Sequence, residues 1–280
     1  MIKLIAIDMD GTLLSSAHNV SPLNRKALKI ANDRGIKVVL CSGRRIHNLL
    51  EYAKELGIDK EEGYVVGNNG AGAMRIRDNK LVYENFLTAG EAQLIAEVCD
   101  SVNANYTIHT FDAAITPREN VYSKYEADLN NIDLTIMHPR TLSDETIVTN
   151  ILVLDEVEIL NSYERIIMDA FKKKYRIIRT MPMYLEIMKK EVSNFKGIMA
   201  VADLFGIKDH EIMSIGDAPN DLEMIAYAGV GVAMGNAQKV VKDAADYITR
   251  SNDEDGVAYA MNRFLKLDMK EFTNEEVEYE

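Results

Sequence analysis

The stretch LIAIDMDGTLL, residues 4–14, leads from an apolar strand directly into two carboxylates. The apolar run predicts a buried strand, and Asp8 and Asp10 follow it with one methionine between them. Residues two positions apart on a strand share a face, so these two anions repel each other unless the backbone turns. The stretch therefore predicts a strand that ends at a site where positive charge has to be supplied.

Apolar strands alternate with helices after this stretch. The sequences IKVVLC (36–41) and YVVGNNGA (64–71) predict two more strands, and the first of the intervening helices begins with Ser21 as N-cap and Pro22 in its first turn. The alternation resumes at about residue 195. Unbroken apolar strands that alternate with helices are typical of a parallel sheet covered on both faces. We therefore predict an α/β fold with a doubly wound, Rossmann-like parallel sheet.

The pattern changes between these two parts of the chain. AMRIRDNKLVYEN (73–85) alternates apolar and polar residues about a polar turn, which predicts a β-hairpin. From there to about residue 187 the patterns are those of an α+β segment. Helices are predicted at AGEAQLIAEVCDSV (89–102) and EILNSYERIIMDAFKKK (158–174), and strands at YTIHTF (106–111), TNILVLD (149–155) and YRIIRT (175–180). We therefore predict an α+β domain at 84–188, inserted into a core formed by 1–83 and 189–280.

The composition restricts the classes of partner. The 280 residues contain 32 Lys and Arg against 44 Asp and Glu, which gives a formal net charge of −12. Such a chain has no overall attraction for nucleic acid or anionic lipid, and no apolar run approaches the roughly 20 residues of a membrane span. Cys41 and Cys99 stand far apart in unlike contexts. No disulfide framework is therefore expected, and the expected compartment is the cytoplasm.

Three polar clusters follow three of the predicted strands: DMDGT (8–12), SGR (42–44) and GDAPND (216–221). The carboxyl ends of the strands of an open parallel sheet form a crevice that binds ligands. The polar side chains expected to converge there are Asp8, Asp10, Ser42, Asp217 and Asp221. Grouped carboxylate oxygens with few soft ligands suit Mg²⁺. The sequence thus predicts a magnesium site at this edge of the sheet.

These clusters resemble the motifs of the haloacid dehalogenase-like (HAD) phosphohydrolase superfamily. DMDGTLL (8–14), SGR (42–44) and GDAPNDLEMI (216–225) fit its first, second and fourth motifs. The stretch 229–258, which begins GVGVAMGNAQ, is similar to the C-terminal signature of the Cof-type sugar phosphatases. The similarity covers nearly the whole chain, and it implies that the insert is a C2-type α/β cap domain that selects the substrate.

The resemblance implies chemical roles for four carboxylates. Asp8 is expected to attack phosphorus and form an aspartyl-phosphate, and Asp10 to act as general acid and then as general base. Asp217 is expected to bind Mg²⁺ together with Asp8 and the backbone carbonyl of Asp10. Asp221 is expected to support this metal site.

The resemblance also implies which residues bind the phosphoryl group. Ser42, the backbone near Gly43, and Asn220 are expected to contact its oxygens. Arg44 lies next to the second motif, and we expect it to reach either the substrate or a partner in a surface salt bridge.

The third motif departs from the family's common form, in which a lysine and a glycine closely follow a valine–serine or valine–asparagine pair. EVSNFKG (191–197) has two additional residues before Lys196. We expect Lys196 to supply positive charge, because it precedes Gly197 near the start of a predicted helix. Lys190 is the alternative.

Together these features predict a Mg²⁺-dependent phosphatase that hydrolyses small phosphorylated metabolites, with sugar phosphates as the main class, as a monomer or homodimer. Two alternatives stay open, namely phosphoryl transfer as in the family's phosphomutases and a phospho-accepting signalling or binding protein. The acidic tail from Asp268 is expected to be frayed or solvated.

Overall fold

The computed structural model of the protein describes residues 1–58, 62–111, 113–130 and 132–272. The chain divides into two compact units. The first unit comprises Met1–Glu84 and Ser193–Glu280, and the second comprises Asn85–Val192. The shorter second unit is therefore an insertion between two pieces of the first.

The strands, in chain order, are β1 (Leu4–Asp8), β2 (Lys37–Cys41), β3 (Tyr64–Gly67), β4 (Gly72–Arg75), β5 (Lys80–Glu84), β6 (Leu87–Thr88), β7 (Tyr106–Thr110), β8 (Ala113–Thr116), β9 (Asp133–Ile136), β10 (Ile147–Leu154), β11 (Tyr175–Met181), β12 (Tyr184–Lys189), β13 (Ile212–Gly216), β14 (Val230–Ala233) and β15 (Tyr247–Ile248). The α-helices are α1 (Pro22–Asp33), α2 (Ile46–Glu55), α3 (Ala89–Ser101), α4 (Val121–Asn130), α5 (Val157–Phe171), α6 (Asn194–Leu204), α7 (Leu222–Tyr227), α8 (Lys239–Ala244) and α9 (Gly256–Leu265).

The sheet of the first unit has the strand order β15-β14-β13-β1-β2-β3-β4-β5. All neighbours from β15 to β3 are parallel, while β4 and β5 form the predicted antiparallel hairpin at one edge. Every residue of β1 and β13 is buried, so both faces of the central strands are covered. The predicted doubly wound α/β fold is confirmed. It brings the carboxyl ends of β13, β1 and β2 to one edge.

The sheet of the second unit has the strand order β11-β12-β10-β7-β8-β9, and β6 also pairs with β10. Its pairs are antiparallel except for the parallel pair of β8 and β9. Alternate strand residues such as Ile108 and Ile151 pack with Ile95 of α3 and Leu160 of α5 in one apolar core. The sequence patterns predicted α3, α5, β7, β10 and β11, but not β8, β9, β12 or α4.

The second unit also contains a buried carboxylate, Asp155, just after β10. It accepts hydrogen bonds from the backbone N–H of Asn105 at 3.1 Å, from the Asn105 side-chain amide at 2.8 Å and from the Tyr163 hydroxyl. Asn105 precedes β7 and Tyr163 lies on α5. Asp155 therefore connects two strands and a helix of this unit through neutral donors.

The observed boundary after the insert differs from the predicted one. The core was predicted to resume at Lys189, which is the last residue of β12, whereas the first unit resumes at Ser193. A boundary before Lys189 would cut β12, which pairs with β11 up to that residue. The role of the insert in substrate selection stays a prediction.

The C-terminal tail is docked as far as the structure describes it. Met269 and Phe272 are buried, the Met269 N–H donates to Asn262 Oδ1 at 3.0 Å, and the Phe272 ring packs edge-on against Tyr259. The prediction of a frayed tail from Asp268 is therefore wrong up to Phe272, and its remainder, 273–280, lies outside the described residues. None of the described helices has the length and apolar character of a membrane span.

Candidate active site

Three carboxylates meet where β1 and β13 end. Asp8 is the last residue of β1, Asp217 directly follows β13, and Asp221 ends the short turn that leads into α7. One carboxylate oxygen of each residue lies within 4.8 Å of those of the other two. Because β1 pairs in parallel with β13, with Ile7 opposite Ile215, these strand ends lie side by side. We call Asp8, Asp217 and Asp221 the carboxylate cluster.

The backbone turns between Asp8 and Asp10, which separates the two aspartates of the opening motif. Gly11 adopts φ +78°, and a Cβ there would lie 2.5 Å from Asp217 Oδ2, so the turn and the close approach both require glycine. Thr12 then donates from Oγ1 to Asp217 Oδ1 at 2.7 Å. As a result Asp8 is 3% exposed, whereas the Asp10 side chain is 46% exposed.

Asp221 is completely buried and is held by neutral donors. Its Oδ2 accepts from the backbone N–H groups of Asp217 and Ala218, at 3.1 and 3.2 Å. Its Oδ1 accepts from the side-chain amide of Asn194 at 3.1 Å. A Cβ at Gly216 would lie 2.6 Å from Asp221 Cβ, so glycine is needed at the end of β13. These contacts fix the turn that presents Asp217.

The pKa of each of the three clustered carboxyl groups is raised above its ordinary value. Burial is the largest cause for Asp8, and the charges of Asp221, Asp217 and Asp10 add to it. Burial is also the largest cause for Asp217 and for Asp221. The raised pKa values follow because desolvation and like charges both penalise the ionised form. The site therefore concentrates negative potential in a small buried volume.

The donor set of the cluster fits a hard divalent cation. The three side chains offer only carboxylate oxygens, close together, at the end of a rigid parallel sheet. A cation would relieve both the repulsion and the desolvation that raise these pKa values. The Asp10 side chain is not part of the cluster, and binding through its backbone carbonyl stays a prediction.

The Asp10 carboxylate has its own counter-ion, Arg44. The Arg44 guanidinium donates from Nε to Asp10 Oδ2 at 2.6 Å and from Nη2 to Oδ1, a bidentate pair. Arg44 Nη1 also lies 3.4 Å from the Tyr52 hydroxyl. The pKa of Arg44 is raised mainly by its hydrogen bond to Asp10. Arg44 was expected either to reach the substrate or to form a salt bridge, and the structure shows the salt bridge.

Ser42 and Gly43 form a buried corner beyond β2. Cys41 pairs with Asp8 across the sheet, so the next residue, Ser42, lies beside the end of β1. Ser42 is buried, its Oγ accepts from the Arg44 N–H at 3.1 Å, and its carbonyl accepts from the Asn69 N–H at 3.1 Å. A Cβ at Gly43 would lie 2.9 Å from Asn69 Oδ1. The corner is thus packed against the turn after β3.

Helix α6 buries Asn194 beside Asp221 and leaves Lys196 exposed, so the positive charge expected from Lys196 stays a prediction. Ser193 caps the helix, with its Oγ accepting from the Lys196 N–H at 3.4 Å. Asn194, Gly197 and Ile198 share the buried face of the helix, whereas Lys196 is exposed. The Lys196 ammonium has no carboxylate partner among the described residues.

The alternative lysine, Lys190, belongs to the second unit, where its ammonium donates to the Lys173 carbonyl at 2.9 Å. Sequence reasoning missed Asn194. The signal that could have found it is the helical register, since it precedes the buried Gly197 and Ile198 by three and four positions.

Two asparagines complete the surroundings of the cluster. Asn220, predicted to contact phosphate, is half-buried, with its amide 3.5 Å from Asp221 Oδ1. Asn236, which is not among the predicted site residues, donates to the Gly11 carbonyl at 2.8 Å and so secures the turn between Asp8 and Thr12. The contacts predicted between phosphate and Ser42, Gly43 and Asn220 stay predictions.

Comparison with protein families matches residues 5–261 to the haloacid dehalogenase-like hydrolases. The chain belongs to this family. The resemblance predicted from the motifs is confirmed, and this hydrolase is an enzyme of the predicted superfamily.

The similarity to individual members extends over nearly the whole chain of this hydrolase. It is 36% identical over 269 residues to YxeH of Bacillus subtilis (strain 168), covering 95% of this chain and 99% of the relative. It is 32% identical over 272 residues to YcsE of the same organism, named 5-amino-6-(5-phospho-D-ribitylamino)uracil phosphatase, covering 94% and 96%. The solved structure of BT4131, described as a HAD subclass IIB sugar phosphatase, matches with a TM-score of 0.76, 27% identity and coverage of 94% and 98%.

Proposed function

We propose that this hydrolase is a Mg²⁺-dependent phosphatase of small phosphorylated metabolites, with phosphorylated sugars or sugar alcohols as its substrate class. The observation that carries the proposal is the difference in burial between the two aspartates at the end of β1. Asp8 is buried beside Asp217 and Asp221, while Asp10 is exposed across the Gly11 turn. Such an arrangement would let Asp8 reach a phosphoryl group beside the residues that would hold the metal, and it would leave Asp10 open to protons from solvent.

Asp8, Asp217 and Asp221 are the residues that would hold or support the metal. When bound, a divalent cation would neutralise the carboxylates and the phosphoryl oxygens, which otherwise repel an anionic nucleophile. The need for neutralisation is large here because burial, together with neighbouring carboxylates, raises the pKa of all three carboxyl groups.

In the proposed reaction, a carboxylate oxygen of Asp8 attacks phosphorus and the bond from phosphorus to the ester oxygen breaks. Asp10 donates a proton to the departing alkoxide, which leaves as the alcohol. Asp10 then accepts a proton from water as the water oxygen attacks the aspartyl-phosphate, and inorganic phosphate and the Asp8 carboxylate are released. The exposure of Asp10 supports this role, because solvent protons reach it directly.

Ser42, the backbone near Gly43, and Asn220 would hold the phosphoryl oxygens. Arg44 would exchange its bond with Asp10 for one with the substrate. The insert, Asn85–Val192, would act as the cap that selects the leaving group. The substrate class is supported by YcsE, whose name specifies a phosphoribityl compound, and by BT4131, which is described as a sugar phosphatase.

The test is phosphate release from p-nitrophenyl phosphate and from a panel of sugar and sugar-alcohol phosphates, with Mg²⁺ and with EDTA. We expect turnover that requires Mg²⁺ and falls at least about a thousandfold in Asp8→Asn, since the nucleophile is lost. Asp33→Asn, an exposed carboxylate on α1, is the matched control and should retain full activity.

Retention of wild-type activity by Asp8→Asn would refute the proposed nucleophile. Full activity in EDTA would refute the metal requirement. Transfer of the phosphoryl group to an added sugar in preference to water would identify a phosphotransferase. A single turnover that leaves a stable phospho-protein would identify the phospho-accepting alternative.

A further inference from the structure

Helix α6 contributes one neutral side chain, that of Asn194, to the surroundings of the carboxylate cluster. We propose that Asn194 is a positioning residue that holds Asp221 and leaves the cluster without a resident cation, so that the bound metal is its main source of positive charge. The inference rests on the proposed function, and it concerns why this site would depend on the ion.

The first observation is the hydrogen bonding of the Asn194 carboxamide. Its Nδ2 donates to Asp221 Oδ1 at 3.1 Å, and the residue is only 1% exposed. Its Oδ1 is buried without a hydrogen-bond partner among the described residues. An orphaned buried acceptor is costly, so it points to a donor that the folded chain does not supply. The water shell that Mg²⁺ retains in proteins is a donor of that kind.

The second observation is the charge of the groups that contact the cluster. Asp217 accepts from the Thr12 hydroxyl, and Asp221 accepts from two backbone N–H groups and from the amides of Asn194 and Asn220. All of these donors are neutral. The guanidinium of Arg44 is engaged by Asp10. Across the described part of the chain, no lysine or arginine forms a salt bridge with the cluster.

The third observation is that the fold fixes which residue of α6 reaches the site. A Cβ at Gly197 would lie 2.5 Å from Val66 Cγ1, and a Cβ at Gly70 would lie 2.0 Å from the Ser193 carbonyl oxygen. The start of α6 is therefore clamped against β3 and the turn that follows it. A rotation that brought Lys196 inward would break this packing and remove Asn194 from Asp221.

The proposal predicts opposite effects of opposite charges at residue 194. Asn194→Lys places an ammonium beside Asp221, which should compete with the metal and weaken Mg²⁺ binding at least about tenfold. Asn194→Asp adds a fourth carboxylate, which should lower the unfolding temperature of the metal-free protein and enlarge the rise produced by Mg²⁺. Lys196→Ala removes an exposed ammonium from the same helix and should change Mg²⁺ affinity less than about twofold.

The experiment measures the Mg²⁺ dissociation constant by calorimetry and the unfolding temperature with EDTA and with Mg²⁺, for the full-length wild type and the three variants. Opposite shifts of the Mg²⁺ response in the lysine and aspartate variants support the proposal, because a purely structural role would move both in the same direction. If Asn194→Lys does not fold, the enlarged Mg²⁺ response of Asn194→Asp supports the proposal and an unchanged one overturns it.

Two results separate this inference from the proposed function. If the wild type binds Mg²⁺ and hydrolyses phosphate esters, but neither charged variant changes the Mg²⁺ response relative to Lys196→Ala, the role of Asn194 is wrong and the phosphatase stands. If the wild type binds no Mg²⁺, both are overturned.

Discussion

Asp155 and Asp221 are both buried carboxylates held by neutral donors, one in each unit of the chain. Asp155 accepts from the backbone and side chain of Asn105 and from the Tyr163 hydroxyl. Asp221 accepts from two backbone N–H groups and from Asn194. In hydrogen bonding alone, the two sites are nearly equivalent.

The difference lies in what surrounds the accepted hydrogen bonds. The partners of Asp155 join β7, β10 and α5, and burial together with Asp155 raises the pKa of the Tyr163 hydroxyl, which keeps it a donor. Asp221 instead lies close to the carboxylates of Asp8 and Asp217, so ionisation of any one of the three is opposed by the negative charge of the others. A single buried carboxylate that accepts from neutral donors stabilises the fold. A cluster of buried carboxylates destabilises it, and a bound cation would offset that destabilisation.

The largest effect on stability should therefore come from the insert. Asp155→Ala leaves the two Asn105 donors and the Tyr163 hydroxyl without their acceptor, which should lower the free energy of unfolding by about 3 kcal/mol. Urea unfolding in EDTA measures this loss. Asp144→Ala, an exposed carboxylate in the same unit, is the control and should change the free energy by less than about 0.5 kcal/mol. Equal free energies of unfolding for the two variants would show that Asp155 does not stabilise the second unit.

The next effect is the pH dependence of the metal-free protein. The folded-state pKa values of Asp8, Asp217 and Asp221 are raised, so their contribution to stability is fully present below the ordinary carboxyl pKa and is lost as pH rises through the raised values. Exposed carboxyl groups with lowered pKa values, such as those of Glu211 and Asp253, make stability rise with pH. They are already ionised in both the folded and the unfolded state above the ordinary carboxyl pKa, so they do not change stability in the neutral range.

We therefore expect the metal-free free energy of unfolding to fall by on the order of 2 kcal/mol between about pH 5 and about pH 8. Mg²⁺ at a hundred times its dissociation constant should restore about 2.7 kcal/mol at the upper end. Chemical unfolding at each pH, with EDTA and with Mg²⁺, measures both. Asp8→Asn should flatten the pH dependence, and an unchanged slope in that variant would contradict the assignment of the repulsion to this cluster.

The sequence predicted the parts of the site that depend on single strands. Apolar runs ending in Asp8 and before Asp217 identify strand ends, and the topology of a parallel sheet brings them together. The separation of Asp8 from Asp10 depends on the positive φ of Gly11, which no strand pattern specifies. The choice of Asn194 over Lys196 depends on which face of α6 is clamped, a tertiary property.

The insert was less predictable for a related reason. Strand β9 is short and largely exposed, so it lacks the apolar run that identified β1, and its parallel pairing with β8 requires the intervening helix α4. Likewise, the burial of Met269 and Phe272 depends on Asn262 and Tyr259 of α9, and not on the acidic composition of the tail. Propensity and pattern do not encode such distant partners.

The smallest effect on stability should come from the exposed charge pair, Arg44 with Asp10. Both side chains are partly exposed, at 29% and 46%, so Arg44→Ala should change the free energy of unfolding by less than about 1 kcal/mol, in contrast to Asp155→Ala. If Arg44 passes from Asp10 to the substrate, the same variant should raise KM for a phosphate ester about tenfold, because one charge-assisted contact is lost. Tyr52→Phe removes only the hydroxyl beside Arg44 and should leave KM nearly unchanged. Steady-state kinetics with Mg²⁺ and urea unfolding of the two variants separate these effects. If Arg44→Ala instead lowers stability as much as Asp155→Ala and leaves KM unchanged, Arg44 stabilises the fold and does not bind the substrate.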